Sequence, residues 1–410
     1  MGAAIQDFLI GRQQIVDRKL NIFGYELLFR DVHGRAPDQV GGTEASNQVI
    51  VNSLLEEGLN RIVGPYRAFI NFTRDNLLNG TALLLPKERV VVELLESVSV
   101  DEAVVKACQD LACEGYLIAL DDFVYTEERL PLVRMAHIIK LDVHQLSPEL
   151  SRQYISALGR SRLKFLAEKV ETREQYDEFF GLGCDYFQGF LFSRPNIVQG
   201  KRVGAGQHAI IRLLAEINRP GIEPSDLAKA ISLDVGLSYK LLRYINHSVL
   251  FRLPKKVESI HRAVVYLGLK EIRRWANLVC LASFPDTPRE VIILSLTRAK
   301  MCELLGEAAQ MREPDQYFLT GLMSMLDQLT GIPLDKVLGD LPLADEVTRA
   351  LLFHEGMLGG ALTCATDYEC WDLEHVGFAK MPVMEIGRAY VESLSWANEV
   401  TSSIAAIEGK

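Results

Sequence analysis

The first half of the chain alternates short apolar runs with longer segments of helical periodicity. The apolar runs are rich in β-branched residues and predict strands at 68–72, 89–94, 116–120, 138–141, 164–167 and 186–190. Segments such as 45–57, 101–114 and 173–182 place apolar residues at helical spacing with charged outer faces. Six or more strands alternating with helices predict a closed (β/α) barrel of parallel strands.

The second half of the chain has helical periodicity almost throughout. It follows a stretch at 196–207 that holds three glycines and few apolar residues, which is typical of a linker. The sequence therefore predicts an α/β barrel at 1–197, a linker at 198–208 and an all-α domain at 209–410. A chain of 410 residues has room for two such domains.

Composition and charge narrow the class of protein. Hydrophobic residues make up 48% and charged residues 24% of the chain, as in folded soluble proteins. The net charge of -10 argues against a nucleic-acid partner, because such a partner requires a basic surface. A basic-apolar leader and an 18-residue apolar run are both missing from the sequence, and its seven cysteines form no CxxC pair. We expect a cytoplasmic protein with reduced thiols and no membrane span.

Polar residues stand where the predicted strands end. Those that close or follow the six strands are Asn71, Glu93, Asp121, Asp122, Lys140, Glu168 and Gln188, and Glu26 follows a further apolar stretch. In a (β/α) barrel the carboxyl ends of the parallel strands open on one face, so these side chains are expected to converge on one pocket.

Converging carboxylates repel one another and raise each other's pKa values unless cations compensate them. Mg²⁺ and Mn²⁺ prefer carboxylate and amide oxygens, and two adjacent aspartates suit a two-metal site that cleaves a phosphodiester. Any one of these acids could instead cap the helix that follows its strand. A run of seven such residues favours the metal site.

The ordered motifs resemble the EAL family of cyclic di-GMP phosphodiesterases over about residues 5 to 197. Glu26-Leu27-Leu28 stands for the signature tripeptide, Gln13-Gln14-Ile15 resembles the opening segment, and Glu168-Lys169-Val170-Glu171 resembles Glu-Gly-Val-Glu. The segment from Gln188 to Pro195 resembles the family's closing motif. The resemblance implies a TIM-like barrel that binds cyclic di-GMP with Mg²⁺ or Mn²⁺.

The resemblance also implies individual roles. It makes Glu26, Asn71, Glu93 and Asp121 metal ligands, with Asp122 on a second ion. It makes Glu168 the general base and places Lys140 near the attacking water. The nucleotide-binding residues that it implies are Gln13, Arg30, Glu171 and Gln188, with Arg30 on a phosphate.

One loop departs from the family pattern. After Asp122 the family usually has a glycine- and serine-rich loop, anchored by the residue that matches Glu96, whereas this chain has Val124 and Tyr125. Those side chains do not tolerate the turns that glycine permits, so the second ion and the anchoring role of Glu96 are in question. Three functions stay open: a phosphodiesterase, a cyclic di-GMP receptor without turnover, and a protein-interaction scaffold.

The stretches LSYKLLRYINHSVLF at 237–251 and VESIHRAVVYLGLKEIRRWANL at 257–278 look like the core of an HDOD domain, and the resemblance covers about residues 208 to 395. HDOD is a helical relative of the HD phosphohydrolases. HD chemistry requires a His-Asp dipeptide, which this chain lacks, and His247, His261 and His354 are single residues on helical segments. The resemblance therefore implies a regulatory domain without catalysis that binds an unidentified signalling partner. It also leaves a homodimer open.

Overall fold

A computed structural model describes most of the chain. The described residues are 8–31, 58–159, 162–189, 191, 210, 213–214, 216–217, 221–233, 235–247, 256–282, 289–330, 332–339, 341 and 343–408. The predicted helix at 45–57 and the predicted linker at 198–208 lie outside them. Contacts divide the chain into two compact units, one of Met1–Arg194 with Glu369–Leu373 and one of Pro195–Tyr368 with Glu374–Lys410. The sequence gives no sign that a short segment near 370 groups with the first unit.

The described residues of the first unit form a closed barrel of eight strands. These are β1 (Phe8–Asp17), β2 (Ile22–Asp31), β3 (Arg67–Phe72), β4 (Val90–Leu94), β5 (Leu117–Leu120), β6 (Ile138–Asp142), β7 (Lys164–Glu168) and β8 (Tyr186–Gln188). Strands β2 to β8 pair in parallel. The prediction of a TIM-like barrel followed by helices is confirmed, with strand ends that differ by at most two residues.

The first two strands form an antiparallel hairpin that the sequence does not predict. Asp17 accepts hydrogen bonds from the backbone N–H groups of Lys19 and Asn21 and so fixes the turn between β1 and β2. Strand β1 also pairs antiparallel with β8 and closes the barrel. Within this arrangement Gln13 lies opposite Glu26, and Ile15 lies opposite Gln188.

A layer of buried apolar side chains fills the barrel. One residue from each of six strands contributes to it: Ile15, Phe69, Val91, Ala119, Ile138 and Leu166. Side chains two residues apart on a strand share a face, so the next inward positions on β3 to β7 lie directly above this layer. The apolar layer is therefore the floor beneath whatever occupies those positions.

Short helices follow the strands of the barrel. They are α1 (Leu59–Val63), α2 (Arg74–Leu78), α3 (Glu102–Glu114), α4 (Leu130–Val133), α5 (Pro148–Leu158) and α6 (Arg173–Leu182). Asp101 caps α3 through the N–H of Val104 and is held by Arg74, while Thr172 and Gln175 form a capping box on α6. None of these caps uses an acid from the strand ends named above.

The described residues of the second unit form helices joined by turns, with no strand among them. It contains α7 (Pro224–Leu233), α8 (Val235–His247), α9 (Ile260–Ala282), α10 (Arg289–Ala308), α11 (Pro314–Met323), α12 (Leu326–Thr330), α13 (Leu334–Leu338), α14 (Asp345–Phe353), α15 (Gly356–Glu369) and α16 (Val383–Glu408). Gly268 has a φ of 84° and breaks α9 into two helical pieces. Across the described ranges of both units, no helix is long and apolar enough to cross a bilayer.

Candidate metal centre

Strand alternation places the polar residues of the site. Counting two positions beyond the apolar layer on β3, β4 and β6 gives Asn71, Glu93 and Lys140, and on β5 and β7 the same step gives Asp121 and Glu168. All five side chains thus face the barrel interior at the carboxyl ends of parallel strands. The convergence that the sequence predicts follows from this spacing.

Lys140 is the centre of the cluster. Its Nζ lies 2.6 Å from Glu168 Oε1, 2.8 Å from Asp121 Oδ1 and 3.3 Å from Glu26 Oε2, and it donates to Glu93 Oε1. The Lys140 side chain is only 1% exposed. One buried ammonium is therefore shared by four carboxylates, of which Asp121 remains 17% exposed.

The pKa values record the excess of negative charge. Burial raises the pKa of Glu93 well above its ordinary value, and the neighbouring carboxylate of Glu26 adds to the effect. Burial likewise raises the pKa of Glu168 well above its ordinary range. Burial also disfavours ionised Asp121, but the ammonium of Lys140 together with hydrogen bonds to Glu93 and Glu168 holds the pKa of Asp121 below its ordinary value. The site is thus short of positive charge.

Two buried oxygens at the site have no hydrogen-bond donor among the described residues. Asn71 Oδ1 and Glu93 Oε2 are both buried and unpaired, although Asn71 Nδ2 donates to Glu26 Oε1 over 3.3 Å. Carboxylates of Glu26, Glu93 and Glu168 also place one oxygen each within 4.8 Å of one another. Unpaired, buried oxygen donors beside uncompensated carboxylates fit a hard divalent cation.

The hairpin and β8 hold Glu26 in position. Gln188 Nε2 donates to Glu26 Oε2 over 2.7 Å and to Gln13 Oε1 over 2.8 Å. These contacts follow from the pairing of β1 with both β2 and β8, which sets the three side chains next to one another. Gln188 Oε1 is buried and has no donor within the described part of the chain.

A second group of acids lies beside the first. Carboxylate oxygens of Asp121, Asp122 and Glu168 lie within 4.8 Å of one another. However, Lys169 Nζ lies 3.5 Å from Asp122 Oδ1 and 2.5 Å from Asp142 Oδ2. A half-exposed lysine of the protein therefore lies beside Asp122, and the assignment of Asp122 to a second ion stays a prediction.

Asp142 and Lys169 belong to the site, and the sequence analysis missed both roles. Asp142 is 3% exposed and also accepts from the backbone N–H of His144 and from Gln145 Nε2. The available signal was position, since Asp142 ends β6 and Lys169 directly follows β7. Nothing local in the sequence shows that these two residues touch.

Three predicted site residues make contacts outside the cluster. Arg30 Nη1 donates to the carbonyl of Phe29, and Glu171 lies 3.6 Å from His144 through Oε1 and Nε2. Glu96 is exposed, and its backbone carbonyl accepts from Arg129. Their assignments to nucleotide binding and to loop anchoring stay predictions.

The loop after Asp122 is fixed at Phe123, through a buried side chain and a backbone hydrogen bond. Phe123 is buried, and its backbone N–H donates to the carbonyl of Lys140 over 3.2 Å. The next two residues, Val124 and Tyr125, are 45% and 38% exposed. The loop is thus anchored through Phe123 and presents two apolar side chains to solvent.

Two family models match the chain: the EAL domain over residues 67–195 and the HDOD domain over residues 206–332. Two relatives align along nearly the whole chain. Cyclic di-GMP phosphodiesterase CdgJ of Vibrio cholerae is 33% identical, over 96% of this chain and 93% of its own length. The uncharacterized protein YuxH of Bacillus subtilis is 32% identical, over 95% and 98%. A calcium and cyclic di-GMP complex of Klebsiella pneumoniae BlrP1 aligns at 21% identity and a TM-score of 0.39, over 47% of this chain and 56% of that one.

Proposed function

The chain belongs to the EAL family, in the subgroup that carries an HDOD domain, and from that premise we propose that its barrel binds cyclic di-GMP with a divalent cation and hydrolyses it to the linear dinucleotide. In this proposal Glu26, Asn71, Glu93 and Asp121 hold a Mg²⁺ or Mn²⁺ ion. The bound ion would supply Lewis-acid charge to the phosphodiester. The protein would act in cyclic di-GMP signalling, with the helical unit as its regulatory part.

The observation that carries the proposal is the pair of unpaired oxygens in the acidic pocket. Asn71 Oδ1 and Glu93 Oε2 are buried without a hydrogen-bond donor among the described residues. A buried acceptor without a donor lowers the stability of the folded state, and two of them beside uncompensated carboxylates lower it further. A divalent ion would satisfy both oxygens and lower the repulsion among the acids at once.

Glu168 is the residue we assign as general base. Burial raises the pKa of its carboxyl group well above the ordinary value, toward the range in which a base accepts a proton at neutral pH. Glu168 would take a proton from the attacking water as the water oxygen bonds to phosphorus and the phosphorus–oxygen ester bond breaks. Lys140 Nζ, 2.6 Å from Glu168 Oε1, would orient that carboxylate.

The nucleotide would contact the rim of the same pocket. We assign Gln13, Glu171 and Gln188 to nucleotide binding and Arg30 to a phosphate, to which a guanidinium can donate two hydrogen bonds. The unpaired Oε1 of Gln188 supports its part in this assignment. Arg30 would have to exchange its present bond to the carbonyl of Phe29 for the phosphate.

A second candidate function is a receptor that binds cyclic di-GMP without turnover. The loop after Asp122 favours it, because Val124 and Tyr125 occupy positions where the family usually has glycine and serine. In that case binding of cyclic di-GMP to the barrel would change the state of the helical unit, which would act on a signalling partner. The seven cysteines form no CxxC pair, which supports our assignment of the protein to the reducing cytoplasm in either function.

Product formation separates the two functions. Purified full-length protein is incubated with cyclic di-GMP and Mn²⁺, and linear dinucleotide is followed by chromatography. We expect Glu168→Gln to abolish the product while calorimetry still detects nucleotide binding, and we expect exposed Glu178→Gln to behave as wild type. Binding without product in the wild type would establish the receptor, and the absence of both would refute the proposal.

A further inference from the structure

The ammonium of Lys169 lies between two aspartates at the edge of the metal centre. Its Nζ is 2.5 Å from Asp142 Oδ2 and 3.5 Å from Asp122 Oδ1. Asp142 receives the backbone N–H of His144 over 2.7 Å and Gln145 Nε2 over 3.1 Å in addition to Lys169. Its two oxygens are thus satisfied by donors of the protein, which leaves Asp142 to fix Lys169 and not to bind an ion.

The backbone at Lys169 has a rare conformation that neighbouring residues fix, while its side chain is 50% exposed. Lys169 has a φ of 58°, in the left-handed region that non-glycine residues rarely occupy. The next residue is fixed on both sides, since Val170 N donates to the carbonyl of Gln188 over 3.0 Å and Leu191 N donates to the carbonyl of Val170 over 3.0 Å. A strained conformation persists where the surrounding structure determines it, and such positions cluster at functional sites.

Asp122 has the same unusual backbone geometry. Its φ of 39° is also left-handed, and its Oδ1 is buried with no hydrogen-bond donor in the described residues. Lys169 Nζ lies 3.5 Å from that oxygen. Two residues in rare backbone conformations therefore bring an ammonium and a carboxylate together at the opening between β5 and β7.

We propose that the Lys169 ammonium replaces a second divalent ion, so that the barrel binds one ion and supplies the second positive charge itself. The inference rests on the proposed function, because it concerns the same pocket. A divalent ion on Asp122 would lie beside the ammonium that pairs with Asp142, and like charges at such distances repel. The pocket then accepts its one ion at Glu26, Asn71, Glu93 and Asp121.

Metal stoichiometry tests the proposal without relying on activity. Full-length protein is stripped with EDTA, dialysed and titrated with Mn²⁺, and free Mn²⁺ is followed by electron paramagnetic resonance. We expect one ion per chain in the wild type and two in Lys169→Gly, since glycine removes the charge and adopts the left-handed backbone without strain. Lys169→Arg keeps the charge and is expected to bind one ion.

Two further variants complete the design. Lys164→Met removes an ion-paired lysine from the other end of β7, where Lys164 Nζ lies 2.8 Å from Asp185 Oδ1, and should leave the count at one. Lys169→Met removes the charge but keeps the side-chain length, and should admit the second ion if Lys169→Gly does not fold. Circular dichroism identifies the folded variants.

Each outcome has one meaning. One ion in the wild type and two in a folded neutral variant of Lys169 support the inference. Two ions in the wild type overturn it and leave the proposed function standing. One ion in both the wild type and the neutral variants also overturns it, because the lysine would then not be what excludes the second ion. No bound ion in the wild type overturns the proposed function itself.

Discussion

Replacing Lys140 by methionine isolates the electrostatics of the barrel interior. In the metal-free protein this ammonium is shared by Glu26, Glu93, Asp121 and Glu168, and the lysine side chain is 1% exposed. Methionine has a similar length and fits an apolar environment, so the substitution removes the charge with little change in volume. The four carboxylates would then face one another without a cation.

The expected loss in the free energy of unfolding follows from the burial of the Lys140 ion pairs. Removing one partner from a buried ion pair leaves an uncompensated charge and destabilises by about 3–5 kcal/mol. Mn²⁺ should recover part of this loss, since a ligand that binds only the folded state adds about 2.7 kcal/mol at one hundred times its dissociation constant. The gain on adding Mn²⁺ should be larger in the variant, because its carboxylates lack the competing ammonium.

Hydrogen exchange measures this stability in the barrel alone. Peptides from β6 and β7 are followed by mass spectrometry at pH 7 in EDTA, and their free energy of opening should fall by about 3–5 kcal/mol in Lys140→Met. Lys106→Met is the matched control. Lys106 forms an exposed pair with Asp110 on α3, with Nζ 2.6 Å from Oδ1, and solvent screens that pair, so exchange should not change.

Two results would refute this reasoning. A loss smaller than about 1 kcal/mol, the size of a surface ion pair, would mean that the four carboxylates do not depend on Lys140. An equal gain from Mn²⁺ in the variant and the wild type would mean that the ammonium and the ion do not compete for the same oxygens.

Two further predictions concern stability. Glu93→Gln should stabilise the metal-free protein at neutral pH. Burial raises the pKa of Glu93 above its ordinary 4.5, so the folded state binds the proton more tightly than the unfolded state. The free energy of unfolding of the wild type therefore falls as the pH rises from 4.5 through the raised pKa. Urea midpoints measured in EDTA across that range should fall less steeply in the variant, and an unchanged slope would contradict the assignment. Gly189→Ala should destabilise the barrel by at least about 2 kcal/mol, because Gly189 has a φ of 150° and an added Cβ would lie 2.2 Å from Val170 O. Gly181→Ala, in helix α6 where an added Cβ meets nothing within 4 Å outside the helix's own backbone, should instead stabilise by about 0.5–1 kcal/mol, and similar midpoints for the two variants would refute the steric argument.

The local pattern of the sequence was enough to predict much of the barrel. Six strands and the helices at 101–114 and 173–182 follow from apolar periodicity, which depends only on neighbouring residues. The convergence of Asn71, Glu93, Asp121, Lys140 and Glu168 follows from the same rule, since each stands two residues beyond an apolar inward position. Their residue types indicated a metal site before any contact was known.

Apolar periodicity does not predict the antiparallel hairpin of β1 and β2. Strands β1 and β2 each carry polar residues such as Arg12, Gln14 and Arg30 among their apolar ones, so their runs resemble neither a buried parallel strand nor a helix. Their pairing with each other and with β8 places Gln13 and Gln188 beside Glu26. That contact depends on how the barrel closes, which no local run of residues specifies.

The local pattern of the sequence shows which residue types stand at the strand ends, and the fold of the barrel sets which of these residues are in contact. Lys140 meets a carboxylate 114 positions away in Glu26, and Lys169 meets Asp142 across 27 positions. Such contacts are set by strand register and barrel closure, and the local sequence around a lysine does not specify which of many acids it contacts. For that reason the sequence predicts a metal-binding pocket, and only the folded barrel shows that Lys169 lies between Asp142 and Asp122 at its edge.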